Sequence, residues 1–250
     1  MKTAIDYRYS HTCIKKGYQY DKRFNCFKWR KYLWECEQHA LDDILKKHFP
    51  SQPIRYLDFA CGTGRILQFM KERVDSCTGV DISESMLNAC REKLPAEEIA
   101  QADITRNDIL GERVFDLITA FRFFPNAQNS LRVEAIDVLT KHLAPDGLLV
   151  FNNHRNTSST LFTLGRMINS DIPSMSNTEV NCLAVAAGLK IVDVYPIGAL
   201  PGYDNHPMIL PSFIHKCADW IANACGAGRV LCQDIIFVCR KVQQTEQQLS

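Results

Sequence analysis

Tyr56-Leu57-Asp58-Phe59-Ala60-Cys61-Gly62-Thr63-Gly64-Arg65-Ile66-Leu67 is the stretch on which the reading of the fold turns. A short apolar run enters a glycine turn and leaves as an amphipathic segment, the pattern of a strand, a tight loop and a helix. Gly62 and Gly64 let the backbone bend sharply and come close to a ligand, because no side chain stands in the way. The amides that open the following helix point toward that ligand. Seventeen residues after Gly64 comes Asp81, at the end of the next apolar run, where a carboxylate can accept from both hydroxyls of a ribose. The dinucleotide fingerprint G-x-G-x-x-G fails, since Leu67 occupies the third glycine position. Asp58 would repel a pyrophosphate but would favour a cationic ligand.

Outward from this stretch the chain alternates. Apolar runs at 54–60, 77–82, 99–104, 114–121, 148–152, 190–197 and 234–240 read as seven strands. Helical patterns lie at 29–49, 65–74, 84–94, 131–143, 176–187 and 212–224. Ser83 stands as an N-cap, and Ser176-Asn177-Thr178-Glu179 is a capping box whose helix stops at Gly188. Pro145-Asp146-Gly147 reads as a tight turn. Strands and helices alternating every 20 to 30 residues imply an α/β fold, a parallel sheet with helices on both faces. Residues 155–175 break the rhythm and read as an insertion, 198–211 as a loop, and the Gln-rich tail 243–250 as flexible. Residues 1–28 show no clean period.

With these residues in view, the sequence resembles the class I S-adenosylmethionine (SAM)-dependent methyltransferases, closely over 54–154 and in pattern over 176–241. L-D-F-A-C-G-T-G resembles that family's first motif, in which the glycine loop curves under the methionine part of SAM. The resemblance implies cofactor contacts from Asp58, Ala60, Cys61, Gly62 and Gly64. V-D-I-S at 80–83 makes Asp81 the ribose-binding acid, with Ile82 beside it. In Q-A-D-I-T, at 101–105, Asp103 would accept from the adenine amino group and Ile104 would cover a ring face. Phe115–Phe124 resembles the fourth strand, with Phe121 at the cofactor end. The family's architecture is a Rossmann-like, seven-stranded, mostly parallel sheet whose last strand is antiparallel. The implied cofactor is SAM, with S-adenosylhomocysteine (SAH) as product. Each acid also has a plain structural reading, Asp81 as a helix cap and Asp103 as a turn former. Their joint occurrence in order, each at a strand end, points to the cofactor.

Methyl transfer from a sulfonium is an in-line displacement, so the enzyme chiefly positions a nucleophile. A base is needed only where the nucleophile carries a proton. His154, after the fifth strand, is the candidate catalytic base. Arg122 is a candidate for an anionic substrate group, with Phe123, Asn153, Tyr203 and His206 as further pocket walls. The N-P-P-Y or D-P-P-Y signature of amino-directed enzymes is absent, for the chain has F-R-F-F-P-N there. The acceptor read from this is a small molecule, a sugar or natural-product intermediate, with O-methylation favoured. Two rivals stand beside it: an RNA or protein methyltransferase using the N-terminus as a platform, and a non-catalytic SAM-binding partner protein.

The net charge of the 250 residues is +1, which argues against nucleic acid as the main partner. That balance hides an asymmetry. Residues 1–50 carry 11 Lys and Arg against 6 Asp and Glu and hold 10 of the 24 aromatic residues. The resemblance implies that this segment forms a helical lid, since in related small-molecule methyltransferases the segment before the first motif often folds over the cofactor, and Tyr20 and Arg23 resemble residues that sit there. A cation–π contact of an aromatic face with the sulfonium is the physical basis for such a lid. A single-strand nucleic-acid platform and a helix simply packed on the core are the competing readings. The expected organisation is a cap over 1–50, a methyltransferase domain over 51–242 and the tail. No apolar run reaches the length of a membrane helix, the first ten residues lack a signal-peptide core, and the eleven cysteines show no metal-binding spacing. A cytoplasmic monomer or homodimer without a metal is the expectation.

Overall fold

The computed structural model describes residues 7–12, 26–160, 163, 173–202, 208 and 210–242. In chain order the elements are α1 (Tyr7–Thr12), α2 (Lys28–His48), β1 (Arg55–Phe59), α3 (Arg65–Met70), β2 (Ser76–Asp81), α4 (Glu84–Lys93) and β3 (Glu98–Gln101). They continue with β4 (Phe115–Ala120), α5 (Asn129–Lys141), β5 (Leu143–Asn153), α6 (Asn177–Ala186), β6 (Leu189–Ile197), α7 (Ser212–Ala224), α8 (Gly228–Leu231) and β7 (Asp234–Lys241). The seven strands form one sheet in the order β3-β2-β1-β4-β5-β7-β6. β1 to β5 pair in parallel, and β7 runs antiparallel between β5 and β6. The expected mostly parallel sheet with an antiparallel last strand is therefore present.

Side chains alternate across the sheet, so each strand feeds two cores. Leu57, Phe59, Ile118, Leu149 and Phe151 point to the face covered by Leu131, Ala135 and Leu139 of α5 and Val180 and Ala184 of α6. Tyr56, Leu117, Leu148, Val150 and Ile236 point to the other face, against α2 and α3. α2 is no loose appendage. Trp29, Tyr32, Leu33, Leu41 and Ile44 are buried in that second core, and buried Glu37 binds Arg65 of α3 at 2.5 Å. The strand order reverses between the parallel neighbours β1 and β4, and their C-terminal ends open the crevice where ligands of such sheets bind.

Several local expectations are corrected. Ser83 occupies the N-cap of α4 without a side-chain capping bond; its amide donates to Asp81 Oδ1 at 2.8 Å instead. Pro145-Asp146-Gly147 is no turn between elements but a bulge within β5. Phe115 pairs Leu143 while Leu117 pairs Leu148, and a Cβ on Gly147 would stand 2.9 Å from the Phe115 carbonyl oxygen. The third strand ends at Gln101, so Asp103 and Ile104 lie in the turn beyond it. The aperiodic start contains the short helix α1. The capping box is formed: Glu179 N donates to Ser176 Oγ and Ser176 N to Glu179 Oε2.

Candidate functional site

A cavity of about 280 Å³ opens at the reversal point, lined from the ends of β1, β2, β4 and β5, the turn after β3, and the helices α1 and α2. Its floor is the quoted loop. Ala60 and Gly62 both take left-handed backbone, with φ of 57° and 59° at Ala60 and Arg122 and 55° at Gly62. For Ala60 this costs about 1 kcal/mol or more relative to glycine. No atom lies within 4 Å of a Cβ built on Gly62, so the loop leaves open space there. Gly64 serves another purpose. It lies outside the cavity lining, and a Cβ there would fall 2.4 Å from Cys90 Sγ, so its missing side chain lets α3 pack on α4.

Three carboxylates form one end of the cavity. Asp81 accepts from Gly62 N and from Ser83 N, each at 2.8 Å, which ties the loop to the end of β2. Burial raises the Asp81 carboxyl, and those amides pull it back. Asp58 accepts from Thr119 Oγ1 at 2.8 Å, and its Oδ2 is buried with no hydrogen-bond partner. Desolvation pushes its carboxyl up to about 7, against the Thr119 hydrogen bond and the charge of Arg65. Asp103 accepts from Arg8 Nε at 2.7 Å and Thr105 Oγ1 at 2.6 Å, and Arg8 also reaches Thr105 and Glu134. An incoming amino group would share Asp103 with Arg8. An orphaned buried carboxylate oxygen and two further acids suit a cationic, hydroxyl-rich nucleoside, so the residues present fit SAM.

The other end is basic and aromatic. Phe121, Arg122 and Phe123 follow β4, and His154 and Arg155 follow β5, with Arg30 coming from α2. Arg122 takes left-handed backbone, held by Asn152 Oδ1 accepting from its amide at 2.6 Å and by Asn126 Nδ2 donating to its carbonyl at 2.5 Å. Asn152 in turn donates to Asp234 of β7. The His154 imidazole is held well below its ordinary value, first by burial and then by the charges of Arg122, Arg155 and Arg30. Its Nδ1 is buried with no hydrogen-bond partner. This setting weakens the expected base role: the ring is neutral, but a group whose proton affinity is driven down takes a proton poorly.

Of the residues singled out from sequence, Asp58, Ala60, Cys61, Gly62, Asp81, Ile82, Asp103, Phe121, Arg122, Phe123 and His154 line the one cavity. Ile104 does not; it is buried in the core beneath. Asn153 is also buried away from the lining, where its Nδ2 donates to the Met175 carbonyl at 2.9 Å. Tyr20, Arg23, Tyr203 and His206 lie outside the described residues. Sequence reasoning missed Tyr7, Arg8, Arg30, Asn126 and Arg155. Tyr7 packs edge-on against Phe123, with ring centroids 5.6 Å apart, and its amide donates to Gln128 Oε1. Arg155 stood beside His154 in the sequence and was within reach; Tyr7 and Arg8 carry no periodic signal. Among the described residues no cluster of His, Cys, Asp or Glu suits a metal ion, and no helix is long and apolar enough to cross a membrane.

Residues 57–147 match a family described as "Methyltransferase domain". The chain is 25% identical over 157 residues to the malonyl-[acyl-carrier protein] O-methyltransferase of Bacillus cytotoxicus, covering 62% of this chain and 51% of that one. It is 26% identical over 118 residues to a dTDP-3-amino-3,4,6-trideoxy-alpha-D-glucopyranose N,N-dimethyltransferase of Streptomyces venezuelae, covering 47% and 49%. The chain thus spans about half the length of these curated relatives. Among solved structures, magnesium protoporphyrin IX methyltransferase from Synechocystis with bound SAH superposes with a TM-score of 0.60 at 13% identity, over 91% of this chain and 95% of that one. That likeness shows a shared fold.

Proposed function

We propose that this chain, which carries a class I SAM-dependent methyltransferase domain, transfers a methyl group from SAM to an oxygen of a small-molecule acceptor. The observation that carries the reading is one cavity at the sheet reversal whose β1–β3 end is acidic and whose β4–β5 end is basic and aromatic. Bound SAM would supply an electrophilic methyl on a sulfonium.

The chain's own groups divide the work. Asp81 takes the ribose hydroxyls while its amide contacts keep the glycine loop in register. Asp58, at the loop's base, faces the cationic methionine portion. Asp103 takes the adenine amino group beside Arg8. Phe121 and Phe123 exclude water from the path between donor and acceptor, where desolvation strengthens every charge contact. Arg122, His154 and Arg155 would receive the acceptor and orient its nucleophile toward the methyl group that SAM supplies. The relatives named above act on different acceptors, one at oxygen and one at nitrogen, and do not by themselves choose between them.

The test is binding followed by turnover. Asp81→Ala is expected to weaken SAM at least a hundredfold in calorimetry while the protein stays folded by circular dichroism. Undiminished affinity would remove Asp81 from the site. Transfer of label from methyl-labelled SAM to a small acceptor completes the test; SAM binding without transfer to any acceptor would favour the non-catalytic rival.

A further inference from the structure

We propose that the outward face of α7 is the surface on which two copies of this chain pair, as an isologous dimer with the two helices side by side and antiparallel. The inference concerns assembly and stands independently of the reaction assigned above.

α7 is amphipathic in the opposite sense from an ordinary surface helix. Such a helix turns its apolar stripe to the core and its polar face to water. Here the buried residues are His215, Asp219 and Ala222, while Phe213, Cys217, Trp220, Ile221 and Ala224 are exposed. With 3.6 residues per turn, the five exposed positions fall within about 100° of the helix circumference, opposite the buried three. Phe213, Trp220 and Ile221 are 64%, 72% and 53% exposed.

The inner face fixes this orientation. Asp219 accepts from the Tyr32 hydroxyl of α2, from Gly198 N at 3.0 Å and from Ala199 N at 2.7 Å. The His215 ring packs on Trp29 and on Tyr32, with centroids 5.4 Å from each. Rolling α7 to bury Trp220 would strip a buried carboxylate of its donors. The apolar stripe is therefore held toward the outside by bonds made on the inside.

Area and charge select a second copy as the occupant. Since a large aromatic side chain carries ~150 to 250 Å², Phe213, Trp220 and Ile221 together expose roughly 400 Å². Two such patches face to face, widened by the exposed rim at Lys216 and Asn223, approach the about 800 Å² per partner of a standard interface. The charged residues of α7 are Lys216 and Asp219, and both are engaged within the chain. Lys216 Nζ lies 2.9 Å from Glu35 Oε2, and Asp219 is buried. The stripe itself is uncharged, so it meets no like charge on a copy of itself. An anionic bilayer would instead be met by a row of Lys and Arg along the polar flank, which α7 lacks. In an isologous pair, residues near the two-fold axis meet their own copies. Cys217 stands in the middle of the stripe as an exposed free thiol, so the two Cys217 side chains would face each other.

The experiment uses the full chain at micromolar concentration. Sedimentation equilibrium is expected to give twice the 28.5 kDa of one chain, without larger species. A short bismaleimide is expected to join two chains, and Cys217→Ser to abolish that product. Trp220→Glu is expected to weaken the dimer at least about a hundredfold, with the circular dichroism spectrum and SAM affinity of the unaltered chain; the cross-link in the unaltered chain decides the matter should that variant fail to fold. A monomer throughout, open-ended association, or a dimer that survives Trp220→Glu without a Cys217 cross-link would each overturn the proposal. So would a monomer that floats with vesicles of phosphatidylcholine and phosphatidylserine, which would make the stripe a membrane face.

Discussion

Asp58 shows how one side chain links chemistry to pH. Its carboxyl stands at about 7 because it is desolvated, and a cationic ligand stabilises only the ionised form. SAM affinity is therefore expected to fall as pH drops from 8 to 5.5, approaching tenfold per unit below 7, and Asp58→Asn is expected to bind weakly with a flat profile. Calorimetry across that range decides it, and a flat profile in the unaltered protein would show that Asp58 does not face the ligand's charge. For the unliganded fold the sign is opposite. The raised carboxyl contributes stability that is complete below the unfolded value near 4 and is lost as pH rises through about 7. Asp58 was legible in the sequence because it stands inside the glycine motif. The weak basicity of His154 was not, since it comes first from burial in the folded chain and then from the charges of Arg122, Arg155 and Arg30, the last more than a hundred residues away.

At the scale of elements, α1 is the instructive one. It is six residues long and has no period to betray it, and its position rests on contacts with remote groups: Tyr7 on Phe123, and Arg8 on Asp103, Thr105 and Glu134. A helix this short is unstable alone and forms where tertiary partners hold it. Arg8→Ala is expected to speed SAM dissociation severalfold in stopped-flow while changing thermal stability by under about 1 kcal/mol, since the ion pairs are partly exposed. An unchanged off-rate would mean that α1 does not cover the cofactor. By contrast α6 was legible to the residue at its start, because a capping box satisfies its first amides from within four neighbouring residues. The bulge at Pro145–Gly147 was misread as a turn. The same residue types serve both, and the choice was made by the neighbouring strand, whose Phe115 carbonyl needs the space at Gly147.

In the whole molecule the sheet carries the acceptor end across its width. Asp234 on β7 holds Asn152 on β5, which holds the Arg122 amide after β4. Asn152→Ala would remove the buried amide that bridges the Asp234 carboxylate and the strained Arg122 amide. It is expected to cost about 2 to 4 kcal/mol in denaturant unfolding and to raise acceptor KM through a misplaced Arg122; loss of stability with unaltered KM would separate the network from the site. The order of apolar runs, the glycine loop and the three acids are local properties, written in short segments. They determined the α/β class, the seven strands and the acidic end of the cavity. Which residues beyond the motif complete the cavity was decided only by the tertiary structure. Arg8 and Arg30 acquire their places by meeting Asp103 and His154 across elements far apart in the chain, and charge interactions follow distance in space rather than separation in sequence.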